Sequence, residues 1–591
     1  MTKYQTLLNI LDEIIKEAPS ELSKKYIQLT NDADKVNQAR SRAFIHLYLK
    51  VSFGLLDFKE RESFITDGSY DGGIDGYYIS LEKKTIFFIQ SKFRNNEKNF
   101  ESKEIQLDEI LVMDVNRILE GEDCDENGNK YNGKIKQLQR EISNTDGIAR
   151  YSYQVIVLAN LNDVRSGDLK KLTGGIACQV FNFKQCYDKL VLPVITGTFF
   201  NATELSINID LSNKNAGSKI SYTVLTKKGE CEITVLFVPT IELGRIMYKY
   251  KNSILKYNPR SYLGHEGKNV NNAIRETIIE KETNEFALYN NGVTMLSDET
   301  FINEKIGQKN KAQLIIKNPQ IINGGQTSYT LSRIYHENIN NNVEQIFQNK
   351  EVLLKVITLL KDNELTSKLE LINDISEATN KQTPVIDADR ISNDRLQIEM
   401  QKWLFDKYGL LFERKRGEFA DGILNNYISE DDVLERNLFF RMYYASNGQI
   451  SKAREKKLFI RQDLTFEELT REEKLDNAYF GYLCFKKIIT AQYRNQRVEL
   501  SSYAKVFAMI LLFKPKSLNE YEAAANNYFQ GLEAHWNKFL QDVKGVDVPS
   551  SNKKYKRVKI DSKDKLKFYF DSPDFKNDIL NYFTNSNKVI L

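Results

Sequence analysis

The chain has 591 residues, too many for one hydrophobic core, so roughly two to four domains are expected. Hydrophobic residues make up 41% and charged residues 28%, an ordinary globular balance, and no apolar run reaches the ~18–20 residues of a bilayer span. The net charge of +4 is too mild by itself to mark a nucleic-acid binder, though it leaves room for local basic patches. The five cysteines (124, 178, 186, 231 and 484) form no CxxC pair, and the four histidines are scattered. Both facts argue against a disulfide framework or a zinc or histidine metal site, and they fit a reducing cytoplasm. The first twenty residues, MTKYQTLLNILDEIIKEAPS, are amphipathic and lack the long apolar core of a secretory signal.

In chain order, residues 1–60 read as helices: ILDEIIKEA and ARSRAFIHLYLKVSFGLL place apolar residues at helical spacing. A hairpin follows. Asp75 sits just past a glycine turn (Asp71-Gly72-Gly73-Ile74), and the apolar run Thr85 to Ile89 ends in Gln90-Ser91-Lys92. Strand side chains alternate faces, so Gln90 and Lys92 point the same way, and strand pairing brings Asp75 beside them. A carboxylate, an amide oxygen and an ammonium at one point can hold a divalent metal and activate water against a phosphodiester. The plainer alternative is a glycine turn ahead of a core strand with a solvated lysine at its end. Residues 101–120 read as a helix. The loop Asp123-x-Asp125-x-Asn127-Gly128 imitates the start of a calcium loop, but Lys134 stands where the twelfth ligand, Glu, is required, so it is read as a surface loop. Tyr151 to Ala159 is a buried strand.

Past residue 200 the pattern changes. Ser218–Thr226 and Glu230–Val238 form a β pair, and a helix covers about 241–257. Two asparagine-glycine motifs lie in β-like sequence: Asn290-Asn291-Gly292, and Asn323-Gly324-Gly325-Gln326-Thr327, which opens a helix towards His336. In the second, glycines let backbone N–H groups approach a ligand and the helix start offers free donors, a cradle for phosphate or carboxylate; an ordinary strand-to-helix turn explains the same residues. No Walker A motif is present. Residues 350–360 form a strand, and the chain beyond 363 is mainly helical. The basic run Lys553 to Lys559 is either a solvated surface or a nucleic-acid contact.

Asp75 with Gln90-x-Lys92 resembles the signature of PD-(D/E)xK nucleases in the Mrr-like form. The order helix, hairpin, helix, strand is similar to a restriction-endonuclease-like α/β core. The resemblance implies Mg²⁺ or Mn²⁺ held by Asp75, Gln90 and Asp71, with Lys92 orienting the attacking water and stabilising phosphate charge. Related nucleases often add a Glu from the preceding helix. The stretch 37–53 holds no acid, which leaves Asp67 or Asp71 to supply the extra ligand.

A second resemblance runs through the middle of the chain. Asn258-Pro259-Arg260-Ser261-Tyr262-Leu263-Gly264, Val270-Asn271, Phe286 to Thr294, Asn318 to Ser328, Ala378-Thr379-Asn380-Lys381-Gln382-Thr383-Pro384-Val385 and Glu413-Arg414-Lys415-Arg416-Gly417-Glu418 together resemble the AIPR, or abortive-infection phage-resistance, family. Pro259 replaces the family's usual Val. The expected architecture is therefore α+β and multidomain. It has a nuclease-type core over 1–200, a mixed α/β AIPR domain over 201–362, and a mainly helical region over 363–591. The expected function is a cytoplasmic anti-phage nuclease, restrained by its AIPR region, that cleaves DNA, with RNA as the other candidate. A homodimer and a nucleotide or phage-derived trigger are the expected partners, with no membrane. Asn290, Asn291, Gly292, Asn323 to Thr327, Asn380, Arg260 and Arg414 are the candidate ligand residues of the AIPR motifs. The alternative is a non-cleaving nucleic-acid-binding or nucleotide-binding sensor.

Overall fold

The computed structural model describes residues 1–27, 32–110, 112–161, 164–211, 220–227, 229–259, 261, 268–359, 370–372, 374–376, 378, 395–455, 458, 471–491, 500–512, 520, 523, 525, 532–543, 547–549, 557–559 and 563–585. The fold is mixed α/β and divides into two compact units. One comprises residues 1–393 and 415–432, the other 394–414 and 433–591.

The first unit begins with α1 (Lys3–Lys16) and α2 (Ala33–Phe53). Thr2 caps α1 by accepting from the Gln5 amide, Asp32 caps α2, and Gly54 ends α2 in the left-handed region at φ +68°. A short helix α3 (Phe58–Ser63) follows, capped by Asp57. A four-stranded sheet comes next, built from β1 (Gly76–Ser80), β2 (Thr85–Ser91), β3 (Ser152–Leu158) and β4 (Ala177–Phe181), in that spatial order. The hairpin β1–β2 is antiparallel, whereas β2–β3 and β3–β4 are parallel. β2 is central, which is why its run Ile86 to Ile89 is wholly apolar and buried.

Residues 101–120 differ from the single helix that their apolar spacing predicts. They form two short helices (Glu97–Glu101, Val115–Leu119) with a 3₁₀ turn between. The cause is tertiary: the Ile105, Met113 and Asp114 amides donate to the Asn160, Leu172 and Gly72 carbonyls, bonds that a continuous helix would forbid. The Asp125 loop is a local turn, its carboxylate accepting from the Asn127 and Asn129 amides.

The middle of the chain builds two further sheets. β5 (Glu204–Asp210), β9 (Glu299–Asn303) and β10 (Lys311–Lys317) pair in the order β5-β10-β9. β6 (Ile220–Thr226), β7 (Gly229–Pro239), β8 (Val293–Ser297), β11 (Gln320–Asn323) and β12 (Glu351–Leu359) pair in the order β11-β8-β12-β7-β6. Helices Thr240–Tyr250 and Gly325–Asn338 pack on each other, closely enough that a Cβ on Gly244 would lie 3.2 Å from the Leu331 carbonyl oxygen. The Phe286 motif is not a strand at its start: Phe286–Tyr289 is one helical turn, and β8 begins at Val293. The stretches 74–161 and 202–356 each own a separate apolar core.

The second unit is mainly helical around Trp536, Phe480, Tyr569 and Phe575. Its described strands are short: β13 (Leu411–Glu413) beside β14 (Val433–Glu435), and β15 (Asp547–Pro549) beside β16 (Arg557–Lys559). The basic run meets the described residues only at Arg557–Lys559; 553–556 lie outside them.

Gly324, between β11 and the helix that follows, has φ +86°, and a Cβ there would lie 2.8 Å from Val293 Cγ2 and 3.0 Å from the Gly292 carbonyl oxygen. Gly128 has φ +79° but open space around it. Gly324→Ala therefore costs roughly 3 kcal/mol or more, and Gly128→Ala about 1 kcal/mol. Thermal unfolding of the two variants should show the larger loss of apparent Tm at Gly324; equal losses would contradict this packing.

Candidate functional site

The candidate site is assembled from the loop Thr66–Asp75 and the open end of the β1–β2 hairpin. The Asp75 amide donates to the Ile89 carbonyl at 2.8 Å, extending the hairpin by one residue. The Asp75 carbonyl accepts from the Thr66 and Asp67 amides at 3.0 and 3.1 Å, which folds Asp67 back over the strand start. Between them, Gly72 and Gly73 both have positive φ; a Cβ on Gly73 would lie 2.8 Å from the Val112 carbonyl oxygen, so only glycine fits. Asp71 closes the loop by accepting from the Gly68 and Gly73 amides at 3.1 and 2.9 Å. Asn132 braces it from outside, donating to the Thr66 and Ser69 carbonyls while its Oδ1 caps the helix Gly133–Asn144.

The outcome is three carboxylates, Asp67, Asp71 and Asp75, each offering an oxygen within 4.8 Å of the others. Burial, with Asp67 and Asp71 close by, pushes the Asp75 pKa up to about 7, against the pull of the Ser91 amide and Lys92. Burial raises Asp71 as well. The Ser91 amide donates to Asp75 Oδ2 at 2.6 Å. Hard oxygen donors at this spacing fit a divalent cation such as Mg²⁺ or Mn²⁺.

Gln90 lies on β2 with its side chain buried, and its Nε2 donates to the Gly73 carbonyl at 3.1 Å. It thus ties the glycine turn to the strand. Lys92 stands just beyond β2, its amide donating to the Leu158 carbonyl at 3.0 Å, and its charge acts on Asp75. Arg42 has no counterpart in the sequence reading. It reaches from α2 to Asp67 Oδ2 at 3.1 Å and donates to the Asp67 carbonyl at 3.3 Å. Only its helical register relative to the buried Ala39, Ile45 and His46, three and four residues away, would have signalled that it faces inward.

The AIPR-motif residues form a second polar cluster, around the start of the helix Gly325–Asn338. Asn290 Nδ2 donates to Thr327 Oγ1 at 3.0 Å, and Asn290 Oδ1 accepts from the Gly292 amide at 2.9 Å. Asn323 Oδ1 accepts from the Gly324 amide at 2.7 Å. Gln326 Nε2 and Thr330 Oγ1 both donate to Asn271 Oδ1, and a Cβ on Gly325 would lie 3.2 Å from Asn258 Nδ2. Asn291 is exposed. Lys415 Nζ donates to the Leu255 and Lys256 carbonyls at 3.0 and 2.8 Å. Arg414 belongs to the second unit, where its Nε donates to Gln401 Oε1 at 3.1 Å. Arg260 and Asn380 lie outside the described residues.

Residues 255–549 match the family model described as AIPR protein. The chain carries an AIPR region. The match begins inside the first unit, takes in the Asn258, Asn271, Asn290 and Asn323 motifs, and runs through most of the second; the carboxylate cluster lies ahead of it. No curated protein and no solved structure matches the chain. Among the described residues, no helix is long and apolar enough to cross a membrane.

A raised carboxylate pKa carries a stability consequence. The folded chain holds the Asp75 proton up to about pH 7, while the unfolded chain releases it near the ordinary value of 3.8. Between those limits the folded state binds more protons, so its stability falls as pH rises, by on the order of 2–4 kcal/mol once Asp75 is charged. Asp75→Asn keeps a neutral oxygen for the Ser91 amide and removes the titration. In EDTA the variant should be more stable than the parent at pH 8 and close to it at pH 4. Thermal unfolding at both pH values checks this; a parent at least as stable as the variant at pH 8 would contradict it.

Proposed function

We propose that this chain acts in abortive phage defence as a cytoplasmic, divalent-metal-dependent nuclease whose N-terminal α/β region cleaves nucleic acid, DNA by preference. The AIPR match supports the defence half. One observation carries the nuclease half: Asp67, Asp71 and Asp75 meet within 4.8 Å at the open end of a hairpin that also bears Gln90 and Lys92. The order of helix α2, hairpin, helical segments and parallel β3 supports a restriction-endonuclease-like reading of that region.

In this reading Asp75 anchors the cation, and Asp71 and Asp67 complete its carboxylate face. Mg²⁺ or Mn²⁺, when bound, supplies Lewis-acid polarisation and a water of lowered pKa. Gln90 fixes the glycine turn through the Gly73 carbonyl, so the carboxylates keep their spacing. The Lys92 ammonium, whose charge reaches Asp75, offsets charge on the phosphate. Cutting both strands of a duplex calls for two such sites, which a homodimer supplies. The AIPR region restrains the activity until a nucleotide or phage-derived ligand binds one state better than the other.

A second reading, a non-cleaving nucleic-acid-binding sensor, draws on Arg42. α2 offers a cation to the cluster where a carboxylate would add a ligand. Incubating the full-length protein with plasmid, linear DNA and RNA in Mg²⁺, Mn²⁺ or EDTA separates the two. Metal-dependent cleavage is expected, lost in EDTA and reduced about 10²–10³-fold by Asp75→Ala or Lys92→Ala, the scale for removing one preorganised charge. A folded, fully active Asp75→Ala protein refutes the site assignment. Retained binding without cutting of any substrate favours the sensor.

A further inference from the structure

A cleft of about 1090 Å³ in the first unit is used by none of the sites above. One wall comes from the ends of α2 and of the β1–β2 hairpin, including Tyr78 and Lys83. The other comes from Phe200, the helix Thr240–Tyr250 with Tyr248 and Lys249, and His336 near the end of the helix Gly325–Asn338. On the hairpin side Phe64 and Ile79 pack against one apolar core of this unit, and on the facing side Phe200 and Tyr335 pack against another; small-molecule sites favour such seams.

Several of the cleft's cations are already paired. Lys50 pairs with Glu17 at 3.1 Å, and Lys251 with Asp421 at 2.8 Å. Asp57 caps α3, and Glu82 accepts from Thr203 at 3.1 Å. Arg245 is engaged by Glu242 and Glu344. Lys83 and Lys249 remain without an ion pair among the described residues, and the carboxylates of Asp57, Glu60 and Glu82 share the cleft with them, Asp57 and Glu82 held only by neutral donors. Both lysines are exposed and rest on aromatic faces. Lys83 Nζ lies 5.9 Å from the Phe53 ring centre, and Lys249 Nζ lies 5.7 Å from Phe200 and 5.3 Å from Tyr250. The aromatic surface is ordered: Phe53 stacks on Tyr78 with centroids 4.2 Å apart, Phe200 on Tyr250 at 5.7 Å, and His336 lies 5.0 Å from Tyr248. Partial desolvation by the cleft and the nearby Lys251 hold the pKa of the solvent-accessible His336 below its usual value, so this ring stays neutral at physiological pH and can present a π face.

Available ammonium groups beside stacked rings suit a ligand that joins negative charge to a flat ring. We propose that the cleft binds a nucleoside phosphate, with Lys83 and Lys249 on its phosphates and the rings of Tyr78, Tyr248 and His336 against its base. The inference is independent of the nuclease reading, because none of these residues belongs to the carboxylate cluster.

The test uses the full-length protein in EDTA, which keeps metal-bridged nucleotide off Asp67, Asp71 and Asp75. ATP, GTP, CTP, UTP and inorganic triphosphate are titrated separately by calorimetry at millimolar concentration. At least one nucleotide should bind, and the double variant Lys83→Glu/Lys249→Glu should weaken it at least about tenfold, since two charge-assisted contacts are reversed. Both side chains are exposed, so the variant should keep the parent's circular dichroism spectrum and apparent Tm. Three results would overturn the proposal: no binding of any of the four nucleotides, equal binding by the double variant, or inorganic triphosphate binding as tightly as the nucleotides.

Discussion

Arg61 is fully buried, and a guanidinium cannot escape burial by losing its proton. The surrounding chain must therefore answer the charge. Arg61 NH1 donates to the Leu55 and Leu56 carbonyls, Nε donates to His46 Nδ1 at 3.2 Å, and NH2 pairs with Glu17. His46 can accept only because burial pushes its pKa down to about 4 and leaves the ring neutral. Burial works against the charge of Glu17 too, but Lys50 and Arg61 outweigh it and hold its pKa below the usual range. Lys50 in turn donates to the Tyr427 hydroxyl at 3.0 Å. One obligatory charge thus fixes α1, α2 and α3 together and joins them to the segment after the AIPR motif at 413–418. Removing Arg61 or Glu17 alone would strand its partner, whereas losing an exposed pair such as Lys59–Glu21 leaves both groups in water.

The carboxylate cluster shows the same constraint met incompletely. Asp67 has Arg42, and Asp75 has the Ser91 amide with Lys92 at a distance. Even so, burial and mutual repulsion leave Asp75 protonated across much of the acid range. A fold selected for stability alone would replace one of these acids with an amide. Conformational cost is added by Gly72 and Gly73, both left-handed, and by Tyr70, a non-glycine residue at φ +60° in the same loop. Unfavourable charge and backbone in one loop, held by a well-satisfied frame, is the pattern expected where structure serves a ligand rather than itself.

The sequence exposes what is local. Alternation and the glycine turn reveal the hairpin, and helical spacing reveals α1 and α2, because each signal lies within a few residues. That Asp75 lies beside the end of β2 was legible for the same reason. What was not legible depends on contacts far along the chain. Asp67 joins the cluster through amide bonds to the Asp75 carbonyl, and Arg42 arrives from a helix 25 residues earlier. The stretch 101–120 carries a helical pattern, yet it spends its amides on Asn160, Leu172 and Gly72. Similarly, spacing cannot show that Asn271 would receive both Gln326 and Thr330. That geometry links the asparagine-glycine motifs through side-chain hydrogen bonds.

The hairpin also gives a physical route between the two regions of interest. Its open end carries Asp75 and Gln90; its turn carries Lys83 into the cleft. Five residues of β1 at ~3.3 Å each separate these ends by roughly 17 Å. The strand between is rigid, because β1 is hydrogen-bonded to β2 along its length and β2 is locked by β3. A ligand that shifts the turn therefore cannot bend the hairpin cheaply and tends to move it as a body against α2 and the loop Thr66–Asp75. The Asp75 carbonyl bonds to Thr66 and Asp67 are the first to feel such a shift, and they set the carboxylate spacing. The coupling available is limited to the ligand's difference in affinity between the two hairpin positions. Local stiffness thus ties the two ends of β1 together.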